Sequence, residues 1–328
     1  MGQVGKRPRV RVSLPVVLAV VVGLLTGTGT GTSLARFVAA STVGGNAVTT
    51  AARFDTTPPS IAGSVIAKAS GTGLYTAGQI KASGTFYIYA DVTDTGGGAS
   101  GVATVTANVS TIKTGATAVA LVAGSYSVGG VAYNYRSASQ VATATVAQSY
   151  AYGITAVDNA GNSATNGSFT VSVDTTRPGA SDIQTTNGGT AGRPDAGDSI
   201  VYSYTEQIDP ESILAGWTGT PTAITVRFTL SGNTVTIWNA ANTTQLPLGS
   251  VALGAAYITT ATATLSATMA QSGATITLTL GGLMSGTVKT NITARNMTWT
   301  PSATATDGAG NACSTPTRIE SGASDVDF

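Results

Sequence analysis

One pair of signals, used twice, constrains this chain more than anything else in it. Asp55-Thr-Thr-Pro-Pro59 recurs as Asp174-Thr-Thr-Arg-Pro178, and Asp158-Asn-Ala-Gly-Asn162 recurs as Asp307-Gly-Ala-Gly-Asn311. The stretch from 55 to 174 is one ordinary domain long, about 100–150 residues. Proline after Asp-Thr-Thr halts any regular element, and Asp, Gly and Asn side by side favour a tight turn. The chain therefore divides into 55–173 and 174–328, each closed by the same kind of turn.

Between these signals run short alternating segments rich in Thr, Val and Tyr, the residues that fit a pleated surface. In the first half they are Ser60–Ala67, Thr85–Val92, Val102–Val109, Thr117–Val122, Gly130–Tyr135, Gln140–Val146, Tyr150–Val157 and Ser168–Val173. In the second half they include the run to Tyr204, then Ala223–Leu230, Thr234–Trp238, Thr260–Met269, Thr275–Leu280 and Asn296–Thr306. Phe86, Ile88 and Ala90 share one face of their strand, with Tyr87, Tyr89 and Asp91 on the other. Pro210 is placed to open a single helical turn. Long runs of helical period are absent after the N-terminal region, so the class is all-β.

Composition removes several chemistries. There is no His, which excludes imidazole bases, His-dependent nucleophiles and His-ligated zinc. The single cysteine, Cys313, allows no internal disulfide and is expected to be buried and inert. Charged residues are 9 %, far below the roughly 25 % of an average soluble domain. Lys6, Arg7, Arg9 and Arg11 precede the folded part, and no basic cluster follows Arg36. A nucleic-acid partner is thus excluded.

The first 35 residues read as a signal peptide: a basic start, the apolar run Val12–Leu25, and Ser33-Leu34-Ala35 before a predicted cut at Arg36. The apolar run is expected to be helical and, at fourteen residues, short for the span of about 20 that crosses a membrane. Retention as an anchor is the alternative. Phe37, Gly45-Asn46 and Thr50-Ala51 beyond the cut resemble the leader region of exported matrix-fibre proteins of the TasA type, which are processed by a SipW-like signal peptidase. That likeness implies a secreted, surface-associated protein and makes 36–54 a Ser/Thr/Gly/Ala linker or a strand donated to a neighbour.

Asp158–Asn162, one further strand, and then Asp174–Pro178 together resemble the repeat boundary of bacterial immunoglobulin-like domains in large adhesins and surface layers. Asp94-Thr-Gly-Gly-Gly-Ala-Ser-Gly-Val102 is similar to a turn of the same family. The segment from Glu206 through Asp209-Pro210-Glu211 resembles a second such family. The resemblance implies two tandem immunoglobulin-like β-sandwiches with a structural or adhesive role, not an enzyme. Its partners would be other surface or matrix proteins, further copies of the chain, or cell-wall glycan. It also implies calcium at the module junction, with Asp94, Asp158 and Asp174 as ligands. Without calcium the same acids serve their own turns through Asx hydrogen bonds.

Two other groupings suggest chemistry. Glu206, Asp209 and Glu211 are close enough in sequence to suggest paired carboxylates, but sequence proximity does not set their separation across a bond, and solvated or turn-capping acids are the better account. Trp217, Trp238 and Trp299 could form a sugar-stacking platform, the basis of an alternative reading as a carbohydrate-binding module. Isolated tryptophans more often fill cores.

Overall fold

The computed structural model describes residues 54–68 and 77–328. The expected signal peptide with its expected helix, and the segment 36–54 up to residue 53, lie outside the described residues, as does 69–76. Within 52–328 the chain forms one compact unit, nearly all of it strand and turn.

The first sheet contains β1 (Ser60–Ala67), β2 (Gln79–Lys81), β3 (Thr85–Thr93), β4 (Val102–Asn108), β5 (Val119–Val128), β6 (Val131–Ser137), β7 (Gln140–Val141), β8 (Gln148–Asp158) and β9 (Ser163–Asp174). Its order is β1-β3-β6-β5-β4-β8-β9-β2, with β7 against β3. All pairs are antiparallel except β2 with β9. The hairpin between β5 and β6 turns on Gly129 and Gly130, whose φ of 62° and 77° suit the twist of the flanking strands.

The second sheet contains β10 (Ala180–Thr186), β11 (Ser199–Tyr204), β12 (Thr222–Thr229), β13 (Thr234–Asn239), β14 (Gln245–Ala252), β15 (Thr262–Ser272), β16 (Thr275–Ser285), β17 (Thr298–Thr300) and β18 (Arg318–Ile319). Its order is β10-β11-β16-β15-β12-β13-β14-β17-β18. The helical turn α1 (Pro210–Ile213) begins at Pro210 and is capped by Asp209.

Each core sits inside a single continuous sheet that curls towards closure; the hydrogen-bonded path is not broken into two facing layers. In the first sheet Ala67 bridges Ala77, and the Gly78 amide donates to the Ile66 carbonyl, so the β1 edge meets the β2 end. In the second, the Ser321 amide and hydroxyl donate to Asp182 on β10 just beyond β18. Closing a sheet removes its edges and requires local bends, which β-bulges supply. Register shifts occur at Ile61/Gly63, Val102/Thr104, Ala123/Tyr126 and Tyr152/Ile154 in the first sheet alone.

The cores are separate clusters. Ile66, Phe86, Ile88, Ile154 and Val171 belong to one, and Ile183, Tyr202, Leu265, Leu278 and Trp299 to the other. The expected alternation on β3 holds, since Phe86, Ile88 and Ala90 are fully buried. Tyr89 on the opposite face is also covered, by Tyr126 and Tyr133 in a small outer cluster.

Other strands differ from expectation for local reasons. β14 carries Pro247 and Gly249, so its sequence does not read as a strand. Gly249 has φ +88°, and a Cβ there would lie 2.0 Å from the Thr300 carbonyl. The run expected over Asn296–Thr306 shrinks to β17, which Pro301 ends. Beyond Val141 the backbone leaves the ladder: Thr143 and Ala144 both donate to the Ile112 carbonyl.

Trp299 is the largest fully buried side chain. Its indole donates to the Leu248 carbonyl, and Tyr202 and Tyr204 meet it edge to face at 5.1 and 4.8 Å. Trp299→Ala is expected to lower stability by about 3–5 kcal/mol, read from urea melts, because the cavity and the unsatisfied carbonyl add to the lost burial.

Candidate functional site

The acids gather where strands end. Asp55, Asp94 and Asp158 bring carboxylate oxygens within 4.8 Å of one another, and so do Asp174, Glu206 and Asp307. The two triads occupy equivalent places in the two halves of the chain. Each combines the aspartate of Asp-Thr-Thr, an acid just past a Tyr-containing strand (β3 or β11), and the first residue of an Asp-x-Ala-Gly-Asn turn.

Local chemistry builds the first triad. Asp158 is 2 % exposed, and its Oδ1 accepts from the amides of Ala160 and Asn162 at 2.9 and 2.8 Å. Its Oδ2 accepts from Asn162 Nδ2 at 2.8 Å, and the same amide group reaches the Asp55 carbonyl. Gly161, at φ +92°, lets the turn close. Asp55 accepts from the Thr57 and Ser100 amides, which hold its carboxyl below the usual carboxylate range. Asp94 Oδ2 accepts from the Gly101 amide at 2.6 Å, whereas its Oδ1 is buried with no hydrogen-bond partner.

The second triad repeats this. Asp307, 3 % exposed, accepts through Oδ1 from Gly310 and Asn311 amides at 2.6 and 2.8 Å, and through Oδ2 from Asn311 Nδ2 at 2.8 Å. Asn311 reaches the Asp174 carbonyl, as Asn162 reaches that of Asp55. Asp174 Oδ1 accepts from the Thr176 amide at 2.8 Å. Glu206 Oε1 is buried without a partner. Burial, followed by the charges of Asp174 and Asp307, pushes the Glu206 carboxyl up to about 7. Burial also raises Asp307.

The second triad lies where the two halves of the chain touch. Lys68, just after β1, pairs with Asp209 Oδ2 at 2.8 Å and donates to the Asp307 carbonyl at 2.7 Å and Thr306 Oγ1 at 3.2 Å. The Lys81 amide donates to the Ala309 carbonyl.

The sequence expectation of one junction site made of Asp94, Asp158 and Asp174 is therefore corrected. Asp94 and Asp158 come together, but Asp174 does not join them. Asp158 ends β8 and Asp174 ends β9, so β9, twelve residues of extended chain and roughly 35–40 Å long at about 3.3 Å per residue, runs between the turn after Asp158 and Asp174. Asp55, Glu206 and Asp307 complete the triads. Asp55 and Asp307 stand in the repeated motifs, whereas Glu206 belongs to no repeat and carries no such signal.

Glu206, Asp209 and Glu211, close in sequence, divide between different roles. Asp209 caps α1 through the Glu211 amide and neutralises Lys68, while Glu206 belongs to the triad. Nor do the tryptophans make a platform. Trp217 and Trp299 are buried, and Trp238 carries the Arg227 guanidinium 3.7 Å above its ring. The outer tyrosines surround Arg136, and their rings are tilted by 49° and 73° from that of Tyr89. Cys313 is fully buried and burial pushes its thiol up to about 11, which leaves little thiolate at neutral pH.

No family model and no curated protein matches the chain. Among solved structures, dimeric latent PorU from Porphyromonas gingivalis is similar over 72 % of this chain and 20 % of its own, at 11 % identity and a TM-score of 0.22. The chain thus spans a fifth of that protein's length, and a likeness at this level carries no functional argument.

Lys68 gives a direct test of the contact between the halves. Lys68→Met would leave Asp209 buried and unpaired except for its capping bond, and is expected to cost about 3 kcal/mol in denaturant melts.

Proposed function

We propose that this chain is a non-enzymatic, exported surface or matrix protein whose two tandem β modules, immunoglobulin-like in the motifs at their boundaries, do structural or adhesive work. In this reading each triad takes a hard cation, calcium in the first instance. The observation that carries it is the repetition: the same three-acid arrangement, with the same Asp–Asn clasp, stands at the corresponding end of both modules. A catalytic centre has no need to occur once per module, whereas a device that stiffens a rod does.

The donor set suits such an ion. Hard cations take six to eight oxygens, from carboxylates, carbonyls and water, at about 2.3–2.6 Å. Each triad offers three carboxylates, and in each one buried oxygen lacks a partner, Asp94 Oδ1 and Glu206 Oε1. An orphaned buried acceptor costs free energy that a cation would remove. Glu206, raised to about 7, shows how poorly that triad tolerates a third uncompensated charge. At the second triad the ion would sit beside the Lys68 contacts and stiffen the connection between modules.

Partners follow from the same reading. They are other surface or matrix proteins, or further copies of this chain through 36–54, with a signal peptidase acting at Arg36.

Thermal melts with and without chelator test the cation. Calcium is expected to raise the melting temperature, with the rise reduced by Asp94→Asn or Glu206→Gln and abolished by both together. A melting temperature indifferent to chelator would sink the calcium reading. Mass spectrometry of the exported protein is expected to find Arg36 at its N-terminus; an intact leader would argue instead for a retained anchor.

A further inference from the structure

A third group of acids stands apart from both triads. Beyond β18 the chain from Glu320 to Phe328 crosses the end of the second sheet, and Phe328 inserts its ring against Phe228 and Tyr257. Along this strap Glu320, Asp325 and Asp327 bring carboxylate oxygens within 4.8 Å of one another. Two oxygens on opposite sides of one calcium ion, at about 2.3–2.6 Å each, span a similar distance. Asp325 is exposed, but Glu320 is 5 % exposed and Asp327 fully buried.

Their hydrogen bonds do not account for three acids in so small a space. Glu320 Oε2 accepts from the Met297 amide at 2.9 Å, and the Tyr257 hydroxyl donates to Asp327 Oδ2 at 3.3 Å. Asp327 Oδ1, inside the protein, finds no hydrogen-bond partner. Among the described residues no lysine or arginine forms an ion pair with any of the three. Buried charges are ordinarily paired or bound to metal.

The geometry points to Glu320, Asp325 and Asp327 as a separate site for a hard divalent cation of calcium's size, which fastens the strap across the end of the second sheet. Oxygen donors alone suit such an ion, and the exposed Asp325 provides the entry side. The strap also carries contacts that the ion would rigidify: the Arg295 amide donates to the Asp325 carbonyl, and the Gly192 amide to the Phe328 carbonyl. Here the ion would lock the chain onto its own sheet, a role different from stiffening a junction between modules.

Hydrogen exchange read by mass spectrometry on the full chain, in chelator and in millimolar calcium chloride, tests this. Calcium is expected to slow exchange across 318–328 by about tenfold, as for an ion held at ten times its dissociation constant. Asp325→Ala, a surface change that leaves the core intact, is expected to remove that slowing. Asp327→Asn is expected to keep the strap at least as protected as the wild type in chelator, since it deletes a buried repulsive charge, and to show no calcium response. Equal exchange of 318–328 in calcium and chelator would overturn the proposal, as would a calcium response preserved in Asp325→Ala or Asp327→Asn. Peptides containing Asp94, Asp158, Glu206 and Asp307 report the two triads separately, so either result can fail without the other.

Discussion

The structure depends on bending a sheet round a core made mostly of aliphatic side chains. Aromatic residues are only 6 % of the chain, and Ile, Val, Ala and Leu supply much of the interior. A flat sheet of such residues would bury little and would leave two edges of unpaired amides and carbonyls. Curling solves both problems, because each strand then covers the core and the first strand comes back towards the last. Bulges supply the bends, and a few large side chains fill the centre, above all Trp299 with Tyr202 and Tyr204.

Curling also decides where the acids go. In a nearly closed sheet the interior is apolar, so polar turn residues collect at the ends. Asp158 and Asp307 do more than turn the chain. Each takes three hydrogen bonds from its own turn, and the asparagine four residues later ties that turn to the backbone of a preceding Asp-Thr-Thr segment. The clasp brings together acids more than 100 residues apart, including Asp55 with Asp158. The second clasp also joins the halves of the chain, because Lys68 binds the Asp307 carbonyl and the side chain of Asp209.

Much of this was legible in the residues. Alternating β-branched runs located most strands, Gly129-Gly130 marked its hairpin, and Pro210 opened its helical turn. β14 was hidden because Pro247 and Gly249 contradict strand propensity, and tertiary contact with β17 overrides them. For the acids, the motifs identified Asp94, Asp158 and Asp174 as special but not their grouping. Asp158, one turn before β9, and Asp174, at its far end, are near in sequence and far apart in space. Glu206, read beside Asp209 and Glu211, belongs with Asp174 and Asp307.

By itself the sequence determined the all-β class and the absence of imidazole chemistry, because these rest on composition and on turn residues that act locally. The tertiary structure alone decided that each core lies within one curled sheet, which carboxylates share a site, and that Asp327 is buried with an unmatched oxygen. Those outcomes depend on strand order and register, and pairings between distant strands are set by how the whole chain closes and not by any short run of residues.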